Sequence, residues 1–204
     1  MIILKIISKM TENELLSEIN KLKKSDIKQV IDKRMNAFSQ ISRDFDSLFR
    51  ELAFCILTAG TSAELGIKTI AHLGNTLFNG SQEDILKKLK EVYRFHTIRA
   101  GYIHEARESF RKLDINSPVI RDELVSNVKG LGMKEASHFL RNVGFENYAI
   151  VDFHIVDILE KHNLIEKPKT LTKNKYLEIE NILKKLADKL KMSLGELDLY
   201  LWYL

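Results

Sequence analysis

Apolar residues recur at three- and four-residue spacing through most of this chain, and little interrupts them: two prolines and nine glycines are spread over 204 residues. Helices bury a face at that spacing whereas strands alternate, and so few turn-forming residues leave short loops and little strand punctuation. The pattern predicts an all-α protein, with helices over roughly 11–23, 25–38, 45–59, 62–74, 81–90, 96–113, 117–128, 134–143, 153–162, 173–191 and 194–203. Start signals agree. "TENE" from Thr11, "SQED" from Ser81 and "SLGE" from Ser193 read as N-cap segments, the first and last with the residues of a full capping box. "SPV" from Ser117 reads as an N-cap followed by proline in the first turn.

Charge and cysteine content narrow the classes. A net charge of +4 and a pI near 9.0 allow nucleic-acid binding without requiring it. The single cysteine, Cys55, lies in the apolar run "LAFCILTA", which excludes an intramolecular disulfide and any multi-cysteine zinc or iron–sulfur site. The opening "MIILKII" is too short for a membrane span and lacks a signal peptide's cleavage site. An intracellular protein with no membrane partner is expected, and a monomer, since no dimer seam stands out. No metal site or cofactor is expected.

The stretch "VKGLGMKEASHFLRNVGF", residues 128 to 145, carries the chemistry. A helix ending near Val128, the turn "KGLG" and a new helix from about Lys134 make a helix-hairpin-helix. Gly130 and Gly132 suggest a tightened turn with positive φ. Such a turn leaves amide N–H groups and a helix N-terminus free for a phosphate oxygen, with Lys129 beside it; it positions nucleic acid without reading sequence. On glycines alone an ordinary αα-turn is the competing reading. Lys134 separates the two, because a helix N-terminus disfavours an ammonium ion, and a neutral amine can attack an electrophilic carbon and form a Schiff base.

Eighteen residues on, in "AIVDFHI", Asp152 stands where a helix N-cap belongs. A carboxylate there can equally stabilise positive charge developing on a sugar, or deprotonate an attacking amine. His154 reads as a hydrogen-bonded structural residue, since no second histidine follows at metal-ligand spacing.

Together, "VKGLGMKEASHFLRNVGF" and "AIVDFHI" resemble the helix-hairpin-helix DNA glycosylases with a Gly/Pro-rich loop and an aspartate, and within them the archaeal-type 8-oxoguanine DNA glycosylases. "ELAFCILTAGTSAE", "YRFHTIRAGYIHEAR" and "LGELDLYLWYL" resemble further family segments, so the likeness covers most of the chain. It implies two helical domains with the substrate cleft between them: 46–146 as the central bundle, and 1–45 with 147–204 as the second. It implies Lys134 as the Schiff-base lysine, Asp152 as the catalytic aspartate and Gly130 and Gly132 as the hairpin glycines. Trp202, the only tryptophan, and Phe95 would line the base pocket, although for both a place in the core is the alternative. The implied activity is excision of 8-oxoguanine from double-stranded DNA with β-elimination at the abasic site, in the cytoplasm or nucleoid.

The chain departs from the family at three places. Phe153 replaces the arginine of a usual "DRH", Gly60 stands where many relatives carry asparagine or glutamine, and the chain stops at Leu204, soon after the tryptophan. Between 94 and 112 the residues Arg94, Arg99, Arg107, Arg111 and Lys112 offer phosphate contacts, or only a charged helix face. Two other functions fit parts of the pattern. A glycosylase for oxidised pyrimidines usually carries a four-cysteine cluster that Cys55 alone cannot supply, and a non-catalytic helix-hairpin-helix module leaves the pairing of Lys134 with Asp152 accidental.

Overall fold

In the computed structural model, residues 11–204 are described, so the segment "MIILKII" lies outside the described residues. Twelve helices and no strands occur among them. They fall into two compact units: Ala37–Phe145, and the residues up to Asn36 together with Glu146–Leu204.

The Ala37–Phe145 unit is built around α3 (Phe45–Thr58), which packs on α4 (Ala63–Leu73), α7 (His96–Arg111) and α9 (Met133–Asn142). Every residue from Leu52 to Thr58 is buried; a helix apolar all round has to be central. Asp44 starts it, its carboxylate accepting from the Ser47 amide at 2.9 Å and the Ser47 hydroxyl at 2.8 Å. At Gly66 of α4 a Cβ would come within 2.6 Å of Thr58 Cγ2, which is how closely α3 and α4 approach. An aromatic cluster closes the far side, with Phe45 stacked on Phe49 and Phe110 edge-on to Phe139. The remaining members are α5 (Thr76–Asn79), α6 (Gln82–Val92) and α8 (Ile120–Asn127).

The second unit holds α1 (Glu12–Leu22), the first part of α2 (Ile27–Ser39), α10 (Phe153–Lys161), α11 (Lys173–Leu190) and α12 (Leu194–Leu201). Its core includes Leu15, Ile19, Ile155, Leu159, Ile179, Leu183 and Leu197, all almost fully buried. Buried His162 closes α10, its Nδ1 meeting the Ile158 carbonyl, while its Nε2 lies 3.4 Å from Glu18 Oε2 of α1 with no hydrogen bond between them.

Local chemistry moves several expected boundaries. Four-residue α5 is too short for periodicity to reveal. The Thr11–Glu14 capping box forms, and so does a reciprocal one between Ser81 and Asp84. At Ser193 the box is one-way: its hydroxyl accepts from the Glu196 amide, while the Glu196 carboxyl is partly buried among Lys23, Asp32 and Lys28, and desolvation raises its pKa. Helix α8 starts at Ile120 rather than at the serine, because Ser117–Val119 closes a turn through Ile120 N–H to Ser117 O.

Candidate active site

Helix α8 ends at Asn127, the chain turns through Val128–Gly132, and α9 begins at Met133. Gly130 needs to be glycine on two counts. Its φ is +87°, and a Cβ would sit 2.5 Å from Tyr102 Cδ2 on α7. Gly132 corrects the expectation of a second positive φ: at φ −96° and ψ −173° its backbone is extended and open to any residue. Its role is the N-cap. With no side chain to offer, it leaves the first amides of α9 uncapped, and its own N–H donates to Glu135 Oε2 at 3.2 Å. Lys129 is exposed and pairs with Glu105 Oε2 on α7 at 2.6 Å, and that hydrogen bond raises the lysine's pKa. Tyr102 and Glu105 thus pin the turn to α7.

Lys134 occupies the second position of α9 and is half-buried. Among the described residues no carboxylate pairs with its Nζ. Its charge bears on the buried Cys55 thiol of α3, as do those of Glu51, Arg141 and Glu135; burial, the largest influence, pushes that thiol's pKa well up. A buried protonated thiol is inert.

Phe95 belongs to the same unit, at the N-terminus of α7. Half-buried, it has the Arg94 guanidinium 4.3 Å from its ring centroid and Tyr93 edge-on. Gly60, just past α3, has φ +80° with open space where a Cβ would go. Arg99 and Arg107 turn inward. Arg99 Nη2 donates to the Ala59 carbonyl at 2.8 Å, and Arg107 donates to Gly80 and Leu77 carbonyls at 3.0 and 2.9 Å. Each neutralises a helix C-terminus, and burial lowers the Arg107 pKa. These donors are directed at carbonyls of their own unit.

In the other unit, Asp152 is the N-cap of α10, its Oδ1 accepting from the Ile155 amide at 3.1 Å. The preceding segment is held firmly. Buried Tyr176 of α11 donates to the Ala149 carbonyl at 2.6 Å and accepts from the Val151 amide at 3.1 Å, and Glu180 accepts from the Ala149 amide. Asp152 is therefore delivered at a fixed height by α11. Phe153 beside it is 72% exposed. Trp202, expected in either the pocket or the core, ends α12 with 58% of its surface exposed, so it is not a core residue. His154 is hydrogen-bonded, as its spacing suggested, with Nε2 3.3 Å from the Leu201 carbonyl.

One neighbour of Lys134 escaped the sequence reading. His138 follows at i+4 on α9, half-buried, with its ring edge-on to Phe54 of α3 at 5.8 Å. The spacing was the available signal. No group of three metal-ligating side chains occurs among the described residues.

The family model described as 8-oxoguanine DNA glycosylase matches residues 31–192. The 8-oxoguanine DNA glycosylase/AP lyase of Korarchaeum cryptofilum is 45% identical over 94% of this chain and 95% of its own. The Methanocaldococcus jannaschii protein of the same name is 46% identical over 93% of this chain and 96% of its own. The crystal structure of the M. jannaschii 8-oxoguanine glycosylase/lyase in complex with a 15mer DNA containing 8-oxoguanine matches with a TM-score of 0.86 at 44% identity, covering 93% of this chain and 96% of that one. That of the Thermotoga maritima 8-oxoguanine DNA glycosylase matches with a TM-score of 0.87 at 40% identity, over 94% and 96%.

Proposed function

The chain belongs to the 8-oxoguanine DNA glycosylases, and on that premise we propose that Lys134 is its nucleophile and Asp152 its electrostatic partner. The reaction is excision of 8-oxoguanine from DNA with associated AP lyase chemistry. A damaged base is out of reach inside a duplex, so the nucleotide rotates out at a cost of a few kcal/mol. The Lys134 amine then attacks C1′ of the extruded nucleotide, and the glycosidic electron pair leaves with the base. Positive charge accumulates on the sugar, and the Asp152 carboxylate stabilises it. Ring opening gives the Schiff base; loss of a C2′ proton breaks the C3′–O bond and the phosphate departs. No redox cofactor enters these steps.

The observation that carries the reading is Lys134 itself: a half-buried lysine in the first turn of α9, directly after the hairpin, with no carboxylate on its Nζ among the described residues. Gly130, Gly132 and Lys129 hold a DNA phosphate through the turn's amides, and Trp202 and Phe95 receive the base. The enzyme acts as a monomer where the chromosome is. Borohydride trapping on a duplex with a preformed abasic site tests the assignment. Lys134→Gln loses the trapped adduct and base release while duplex affinity stays within about tenfold. An adduct that survives in this variant hands the nucleophile's role to another lysine, Lys129 first.

A further inference from the structure

A lysine nucleophile must shed a proton before it attacks, and the residues around Lys134 point to where that proton goes. Side chains four apart on a helix are neighbours, with Cβ atoms about 5–6 Å apart. Because Cα–Cβ bonds tilt toward the helix N-terminus, the later residue leans over the turn of the earlier one. His138 therefore covers the turn that carries Lys134. The His138 ring rests on Phe54 of α3, so His138 lies on the face of α9 that meets α3, and Lys134, one turn earlier on the same helix, neighbours it along that face.

The carboxylates at this contact are engaged. Glu135 Oε2 accepts from the Gly132 amide, and Glu51 Oε2 accepts from Asn142 Nδ2 at 3.1 Å, two turns further along α9. Arg141 of α9 also bears on this region, and from α8 Arg121 Nη1 reaches Ser137 Oγ at 3.4 Å. Neither arginine can accept a proton. An imidazole can, and His138 is half-buried rather than sealed.

We propose that His138 is the base that takes the proton from the Lys134 ammonium and returns it to the departing base. The step balances. One N–H bond of the ammonium breaks and its proton moves to an imidazole nitrogen; the freed lone pair forms the bond to C1′; the C1′–N bond breaks with its electrons on the leaving base, which takes the proton back. This rests on Lys134 as nucleophile, and the test keeps the two apart.

Single-turnover base release is measured for the wild type and His138→Gln from about pH 5.5 to 9, the range spanning ordinary imidazole titration near 6.5. The wild-type rate climbs with pH and then levels once the base is neutral. His138→Gln is slower by about a hundredfold near neutrality, with the deficit shrinking as solvent base takes over at higher pH. In His138→Ala, added imidazole restores part of the rate, which no packing role allows, and duplex affinity with melting temperature checks folding in each variant. A wild-type rate and profile in His138→Gln, or a loss that is uniform with pH and untouched by imidazole, overturns the proposal. Failure of the underlying reading looks different: the borohydride adduct then persists in Lys134→Gln.

Discussion

The indole of Trp202 leans on the imidazole of His154, ring centroids 5.0 Å apart and planes inclined by 35°. His154 is itself fixed, its Nε2 against the Leu201 carbonyl one residue before the tryptophan. An exposed aromatic plane braced by its own unit is pre-set to take a flat partner without losing much side-chain freedom.

Trp202→Ala is expected to slow 8-oxoguanine excision by about ten- to a hundredfold, since stacking on an extruded base contributes about 1–3 kcal/mol. Cleavage at a preformed abasic site, which has no base to stack, should hold near the wild-type rate. Because the side chain is exposed, stability should fall by no more than about 1 kcal/mol. Parallel losses on both substrates, accompanied by a large drop in melting temperature, would return Trp202 to a packing role.

Replacing the two hairpin glycines should have opposite signatures. Gly130→Ala forces a left-handed φ at a cost of about 1–2 kcal/mol and drives a Cβ into Tyr102, so melting temperature and duplex affinity fall together. In Gly132→Ala the new Cβ meets only the tip of Glu135, at 3.2 Å, and the cost to stability stays below about 1 kcal/mol. If a phosphate approaches the uncapped first amides of α9, Gly132→Ala still weakens binding, equally for undamaged and lesion duplexes. Unchanged affinity would remove Gly132 from the DNA contact.

Local signals were legible and distant ones were not. Helical spacing and N-cap residues revealed all the longer helices, and the hairpin stood out because its glycines and lysine are adjacent in sequence. The sign of φ at Gly132 could not be read, since glycine permits positive φ without requiring it. Arg99 and Arg107 looked like surface cations; their carbonyl partners lie at Ala59, Leu77 and Gly80, 27 to 40 residues away in the chain. The exposure of Trp202 is likewise a tertiary fact, because an apolar segment at a chain end has the same sequence whether or not something packs over it.

Acid should weaken the central bundle through Asp44. Hydrogen bonds from Ser42 first, then from the Ser47 amide and hydroxyl, lower its pKa to about 2. A carboxyl whose folded pKa lies below its unfolded value of about 3.9 stabilises the fold above that value. The contribution fades as pH falls from about 4 toward about 2. Asp44→Ala should therefore melt below the wild type at neutral pH, and the two curves should converge toward pH 2. A gap that persists undiminished at the acid end would mean that Asp44 acts by packing rather than by charge.

Asp152 caps α10, and one pair of substitutions separates that role from the electrostatic one proposed for it. Capping uses a single oxygen, Oδ1, on the Ile155 amide, and asparagine caps as well as aspartate. Tyr176 and Glu180 hold the preceding backbone independently of the Asp152 side chain, so Asp152→Asn should keep both the position and the cap. Only the charge goes. Melting should then stay within a few tenths of a kcal/mol of wild type, while base release slows by about a hundredfold or more for want of a carboxylate facing the charged sugar. Asp152→Ala removes cap and charge together, with the same kinetic loss and about 1 kcal/mol less stability. Single-turnover rates and melting curves on both variants decide the matter. If Asp152→Asn releases 8-oxoguanine at the wild-type rate and only Asp152→Ala is impaired, Asp152 is a helix cap and nothing more, and the positive charge on the sugar must be met by another group.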